Sequence, residues 1–234
     1  MPYEHLALHY DALMRNMDYE AYADYLLSLS GSPKHVLDLA CGTGRLTEEL
    51  CRRGCDVVAV DGSAEMLSMA QGRGYGTLFL QQDMAELDLY GTVEAAFCTI
   101  DALNYLICEK QFRQAVSRVR LFLEPGGAFV FDLLTPQAFA ARNGMVFMSD
   151  AEGVYCVWCC SWKDPLLNQE ITLFTQTEGG LWRRAGETHT ERCYQPEFVE
   201  EALKEAGFNS VEKHGMMKTA AFNQYDERTV YVAR

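Results

Sequence analysis

A chain of 234 residues, 49% apolar and 23% charged, has the length for one large domain and the composition of an ordinary globular protein. Its net charge of −13 argues against nucleic acid as the partner, because a phosphate backbone must be neutralised by Lys and Arg and no basic run offsets the excess. No segment approaches the ~20 consecutive apolar residues needed to cross a bilayer, and residues 1–30 lack the basic start and apolar stretch of a secretory leader. No membrane partner is expected, and nine cysteines without a disulfide-type pattern point to the cytoplasm.

Along the chain, Tyr22, Tyr25, Leu26 and Leu29 keep helical spacing and predict a helix over 18–29. Units then alternate: a strand at 34–39, a helix at 44–53 stopped by Gly54, a strand at 55–60, and a helix at 64–72 capped by Ser63. Strands follow at 77–81 and 93–98. A helical stripe runs through Phe112, Ala115, Val116, Val119 and Leu123, ended by Glu124-Pro125-Gly126-Gly127, and the next strand is 128–133. Near-continuously apolar strands separated by helices predict a doubly wound α/β fold with a mostly parallel sheet.

The pattern changes over 145–194, where β-rich runs at 145–149, 153–162, 168–178 and 181–194 carry no helical stripe. Gly179-Gly180 marks a hairpin there. A helix at 197–206 and strands at 210–216 and 228–233 finish the chain. One domain over 1–234, with a small antiparallel β insertion at 145–194 after strand five, is the expected organisation.

The informative loop is Val36-Leu37-Asp38-Leu39-Ala40-Cys41-Gly42-Thr43-Gly44, followed by a second strand that ends in Asp61. A strand, a small-residue turn under a helix N-terminus and a carboxylate at the neighbouring strand tip suit a nucleoside cofactor. The dinucleotide fingerprint G-x-G-x-x-G is incomplete, since Thr47 stands where the third glycine belongs.

The acid at the strand end with Ala40, Gly42 and Gly44 resembles motif I of the class I S-adenosylmethionine (AdoMet)-dependent methyltransferases. Asp61-Gly62-Ser63 with Met66 resembles their ribose segment, and Gln82-Asp83-Met84 their adenine segment. Cys98 to Tyr105 resembles motif IV, and His9-Tyr10-Asp11 is similar to the flap whose tyrosine closes over the cofactor. The resemblance implies a seven-stranded sheet with an antiparallel last strand and methyl transfer to a small molecule. Its cofactor would be AdoMet and its product S-adenosylhomocysteine.

It also implies cofactor contacts from Tyr10, Asp38, Ala40, Cys41, Gly42, Gly44, Asp61, Gly62, Met66, Asp83, Met84 and the Cys98 carbonyl. Residues beyond the strand ends, Asp101, Asn104 and Tyr105 with Leu133 to Pro136, are the expected acceptor wall. Trp158, Trp162, His189 and Tyr194 sit on the expected lid, with His189 as the best histidine for a base. The cluster Cys156, Cys159 and Cys160 does not make a zinc site, because a strand turns Cys156 and Cys159 to opposite faces. No metal is expected. Amine, hydroxyl and ring-atom acceptors all stay open, and an NAD(P)-dependent dehydrogenase and a non-catalytic AdoMet-binding module are the alternatives.

Overall fold

The computed structural model describes residues 3–73, 76–151, 153–218, 222–223 and 226–234. The N-terminal stretch forms a 3-10 turn, Ala7–His9, and a short helix α1 (Tyr10–Leu13). Helix α2 (Tyr19–Ser30) starts where the Asp18 carboxylate accepts from the Ala21 N–H and ends at Gly31 in the left-handed region. Then come β1 (His35–Leu39), α3 (Arg45–Arg52), β2 (Asp56–Asp61), α4 (Ala64–Gln71) and β3 (Leu78–Gln81). The Ser63 hydroxyl accepts from the Met66 N–H at 3.1 Å, so the expected cap on α4 forms.

Strand β4 (Val93–Cys98), helix α5 (Glu109–Phe122) and strand β5 (Leu123–Leu134) follow. The sequence places a turn at Glu124 to Gly127; instead this stretch already belongs to β5. Pairing with β4 shifts between Val93↔Leu123 and Ala95↔Ala128, so β5 bulges where a turn was expected. Glycine is required there, because a Cβ on Gly127 would stand 2.8 Å from the Glu94 carbonyl oxygen. Helix α6 (Pro136–Ala141), absent from the sequence reading, starts at Thr135, whose hydroxyl accepts from the Ala138 N–H at 3.2 Å.

Strands β6 (Val146–Ala151), β7 (Val154–Lys163), β8 (Leu166–Gln176) and β9 (Trp182–Arg192) form a separate antiparallel sheet in the order β6-β7-β8-β9. Helix α7 (Pro196–Glu205) and strands β10 (Val211–Gly215) and β11 (Arg228–Ala233) complete the large sheet, in the order β10-β11-β5-β4-β1-β2-β3. Six of its strands are parallel and β11 runs against them, as expected. The strand order reverses between β1 and β4, which places a cleft at their C-terminal ends.

Two apolar layers cover the large sheet. Leu37, Leu39, Phe112, Phe129 and Phe131 fill one face, and Tyr22, Leu26, Leu50, Phe97 and Val130 the other. Burying one such side chain is worth about 1.5–3 kcal/mol, so these layers fix the strand ends firmly. Among the described residues no helix is long and apolar enough to cross a membrane.

Candidate functional site

A cavity of about 390 Å³ opens at the C-terminal ends of β1, β2 and β4. The loop after β1 makes its floor. Ala40, Gly42 and Gly44 hold φ of +59°, +56° and +76°, a turn that small residues form at least cost. Nothing lies within 4 Å of the place a Cβ on Gly42 would occupy, so the backbone there faces open space. The Gly42 N–H donates to Asp61 Oδ2 and the Ser63 N–H to Asp61 Oδ1, each at 2.8 Å. One carboxylate therefore ties the two strand-end loops together and keeps lone pairs for a ligand.

Asp38, near the end of β1, is 1% exposed and accepts from the Thr47 hydroxyl at 2.5 Å. Burial pushes its carboxyl up to about 7; the Thr47 hydrogen bond opposes this and the Asp61 charge adds to it. Burial likewise raises Asp61, against the backbone N–H groups of Ser63, Gly42 and Gly62. On the opposite wall Asp83 accepts from the Ala85 N–H at 2.8 Å and starts a 3-10 turn, Met84–Glu86. Met66, Asp83 and Met84 line this end. The donor set of three carboxylates, a tight backbone turn and a buried thioether fits a nucleoside bearing a cationic amino-acid tail.

Comparison with known proteins agrees. A family described as "Methyltransferase domain" matches residues 36–127. A putative methyltransferase of Geobacillus sp. (strain WCH70) is 31% identical, with both chains covered in full. The crystal structure of an S-adenosylmethionine-dependent methyltransferase from Clostridium acetobutylicum ATCC 824 superposes with a TM-score of 0.88 at 29% identity, covering 99% of this chain and 98% of that one. The chain belongs to the class I AdoMet-dependent methyltransferases. A Streptomyces venezuelae protein, dTDP-3-amino-3,4,6-trideoxy-alpha-D-glucopyranose N,N-dimethyltransferase, is also similar, at 30% identity over 55% of this chain and 56% of its own length. The protein is thus an enzyme with AdoMet as its cofactor, and the dehydrogenase and non-catalytic alternatives fall away.

The residues expected around the methyltransferase's cofactor do not all reach the cavity. Tyr10, Asp38, Ala40, Cys41, Gly42, Asp61, Gly62, Met66, Asp83 and Met84 line it. Gly44 sits behind the floor, where a Cβ would stand 3.0 Å from Ala70 Cβ. The Cys98 side chain is buried in the core, and the next residue, Thr99, reaches the cavity. Burial pushes the Cys41 and Cys98 thiols far up, so neither is a ready nucleophile.

On the acceptor side, Tyr105 lines the cavity. Asn104 is fully buried, with its amide donating to the Arg192 carbonyl at 2.8 Å and accepting from the Leu134 N–H at 3.2 Å. Asp101 turns to Arg228, at 2.9 Å. Arg228 also meets Asp132 at 2.8 Å, and Asp132 accepts from the N–H groups of Ile100 (2.5 Å) and Asp101 (3.1 Å). These partners hold Ile100 and Asp101 at φ +57° and +53°, a left-handed turn that non-glycine residues rarely adopt.

Of the four expected lid side chains, His189 faces Tyr105, its Nδ1 2.8 Å from the hydroxyl. Trp158 packs on a cluster with Leu6 and Ile171, and Trp162 on Phe139. Tyr194 stacks with Phe198 and lies tilted against Phe112 in the core of the large sheet. Cys156 and Cys160 are buried while Cys159 is exposed, as strand alternation requires.

Tyr3 and Tyr19, which no motif signals, also line the cavity, as do Thr99 and Ile100 from the segment that resembles motif IV. Tyr3 donates to the Tyr105 hydroxyl at 2.8 Å, its ring meets Tyr10 edge-on, and its centroid lies 4.7 Å from that of His189. The N-terminal stretch is fastened at its other end, where the Thr43 hydroxyl donates to Asp11 at 2.5 Å and Arg73 pairs with the same carboxylate.

Proposed function

We propose that this methyltransferase moves the methyl group to a small-molecule amine by direct in-line transfer. The observation that carries the reading is the Tyr3–Tyr105–His189 contact, which joins the N-terminal stretch, the turn after β4 and strand β9 across one end of the cavity. A cavity bounded on that side by three elements suits a compact acceptor better than a nucleic acid or a protein loop. Aromatic walls and the carboxylates around them favour a neutral amine that becomes cationic as its nitrogen gains the methyl group, and the similarity to an amino-sugar N,N-dimethyltransferase supports the same class.

Under this reading the chain is a single methyltransferase domain over 1–234, and the β6–β9 sheet over 145–194 is a lid within it. Asp61, with Gly62 beside it, accepts from both ribose hydroxyls. Asp83 accepts from the adenine amine, the Met84 N–H reaches a ring nitrogen, and Met66 packs on the adenine face. The Ala40-Cys41-Gly42 turn passes under the methionine portion, with Gly44 shaping it from behind. Asp38 receives the ammonium and Tyr10 closes over the top, both from the cavity lining, with the Cys98 carbonyl at the end of β4 as the second acceptor for the ammonium. When bound, the cofactor supplies an electrophilic methyl group on a sulfonium. The chain's own task is to align the acceptor lone pair with it and to exclude water.

The test is transfer of radiolabelled methyl from AdoMet to a panel of defined acceptors: amino-sugar nucleotides, simple primary and secondary amines, phenols, bulk tRNA and casein. Label in the amines supports the reading. Label confined to tRNA or casein, or to the phenols, overturns it.

A further inference from the structure

Strand β9 alternates, so Glu187, His189 and Glu191 share one face, and that face is turned inward. The side chain of Glu187 is 5% exposed and that of His189 is 2% exposed. Burying two ionisable side chains side by side is costly unless they act on each other or on a ligand.

Their geometry is directional. His189 Nδ1 lies 2.8 Å from the Tyr105 hydroxyl, which lines the cavity, while His189 Nε2 lies 3.7 Å from Glu187 Oε1. That same carboxylate oxygen accepts from the Leu6 N–H at 3.1 Å, so the N-terminal stretch holds Glu187 in place. Glu187 Oε2 and His189 Nε2 have no hydrogen-bond partner among the described residues, so the 3.7 Å approach of Nε2 to Oε1 is a charge contact rather than a hydrogen bond. Burial alone would push the Glu187 carboxyl up, but His189 and the N–H groups of His5 and Leu6 carry it below its ordinary value. An ionised Glu187 only accepts, so the His189 proton belongs on Nε2, facing it. Nδ1 is then free to accept from Tyr105.

We propose that Tyr105, His189 and Glu187 form a proton relay that removes the proton of an amine acceptor after methyl transfer. The inference rests on the amine reading above. As the acceptor nitrogen's lone pair forms the new N–C bond, the C–S bond breaks and its electron pair goes to sulfur. The surplus N–H proton passes to Tyr105 Oη while the Tyr105 proton passes to His189 Nδ1. The resulting imidazolium faces the Glu187 carboxylate, and no other co-reactant is needed. Tyr105 is the member that touches the acceptor; Glu187 is a positioning residue that sets the tautomer of His189.

The other ionisable groups around His189 are Tyr3, whose ring packs against it, and Glu191 two residues along β9. Asp101 acts on Tyr3, Tyr105 and Glu191 by its charge and is paired with Arg228 at 2.9 Å. Glu191 accepts from the Gln169 amide at 2.6 Å, and burial, then the Asp101 charge, push its carboxyl up to about 8.

The experiment reads the tautomer directly. Long-range proton–nitrogen spectra are recorded on 15N-histidine-labelled enzyme saturated with S-adenosylhomocysteine. His189→Asn identifies the signal by its disappearance, and calorimetry with S-adenosylhomocysteine, expected within about 2-fold of wild type, shows that this variant is folded. The expected result is a proton on Nε2 in the wild type and a mixture of tautomers in Glu187→Gln. With the amine panel, turnover should fall about 100-fold in His189→Asn and about 10-fold in Glu187→Gln at unchanged KM for AdoMet, in the range general-base removal produces. A wild-type proton on Nδ1, a Glu187→Gln tautomer equal to wild type, or undiminished turnover in His189→Asn overturns the relay. Label that reaches only tRNA, casein or phenols overturns the amine reading instead, and the spectra then still decide the tautomer on their own.

Discussion

The two sheets of this enzyme meet the cavity by different means: strand ends of the large sheet line it, whereas the small sheet reaches it through His189, which contacts the lining residue Tyr105. At the large sheet, topology places the cavity lining: Asp38 and Asp61 stand near the ends of adjacent parallel strands, and the turns after them lie side by side because β1 and β2 pair in register from His35↔Asp56 to Leu39↔Val60. At the small sheet, alternation does the placing: Glu187 and His189, the residues of the proposed relay, share a face only because β9 runs regularly through them. A strand end tolerates sequence change along the strand. An alternating face does not, since a one-residue slip sends every side chain to the other side.

The largest test of this contrast is Asp61→Ala. It removes the carboxylate proposed for the ribose and also unties the Gly42 and Ser63 N–H groups. AdoMet affinity by calorimetry should fall at least 100-fold, the loss of two hydrogen bonds to a charged group at about 1.5 kcal/mol or more each. An affinity within 3-fold of wild type would remove Asp61 from the cofactor site.

Next comes Gly127→Ala, where the new Cβ would stand 2.8 Å from the Glu94 carbonyl oxygen and 3.0 Å from that of Glu124. Backbone atoms cannot step aside, so a destabilisation of about 2–3 kcal/mol is expected in urea unfolding.

The third test is smaller and depends on pH. The Asp38 carboxyl is raised by burial to about 7, so between about pH 4 and pH 7 the folded protein holds a proton there that the unfolded chain has released. The stability this gives is fully present below pH 4 and is lost as pH rises through 7. Asp38→Asn should flatten the fall in melting temperature of the cofactor-free enzyme over that range, by up to about 1.4 kcal/mol per pH unit. Equal slopes in the two proteins would show that Asp38 is not the group.

Gly186→Ala in β9 has the smallest expected effect. Its Cβ would meet the Ile171 carbonyl oxygen at 3.5 Å, an ordinary contact, so stability should change by less than about 1 kcal/mol in the same urea assay. A loss equal to that of Gly127→Ala would mean the small sheet is packed as tightly as the large one.

The same contrast governs what the sequence disclosed. The strand-end acids, the Ser63 cap and the β-rich insertion were legible because each rests on local spacing. Helix α6 was also signalled, by Thr135 before Pro136, a cap followed by a residue preset for the first turn, but six residues are too few to show a stripe. The β5 bulge was read as a turn because Pro125-Gly126-Gly127 has turn composition; only pairing with β4 reveals a strand. Tyr3 and Glu187 escaped because their partners, Tyr105 and Leu6, stand 102 and 181 positions away. Asp101 and Asn104 lay where an acceptor wall was expected, yet the left-handed turn after β4 spends them on Arg228 and on backbone groups.

Arg228, on the last strand, braces the turn that presents Tyr105. A growing polypeptide can therefore pair β1, β2 and β3 and close α3 and α4 long before the far wall exists. The half of the cleft made by the first 84 residues is local in sequence and suited to early assembly on the ribosome. The half proposed to align the acceptor waits until residue 228 has been translated and its strand placed between β10 and β5. Nascent chains should gain cofactor affinity and catalytic competence at different lengths, the second only after the antiparallel strand is in place.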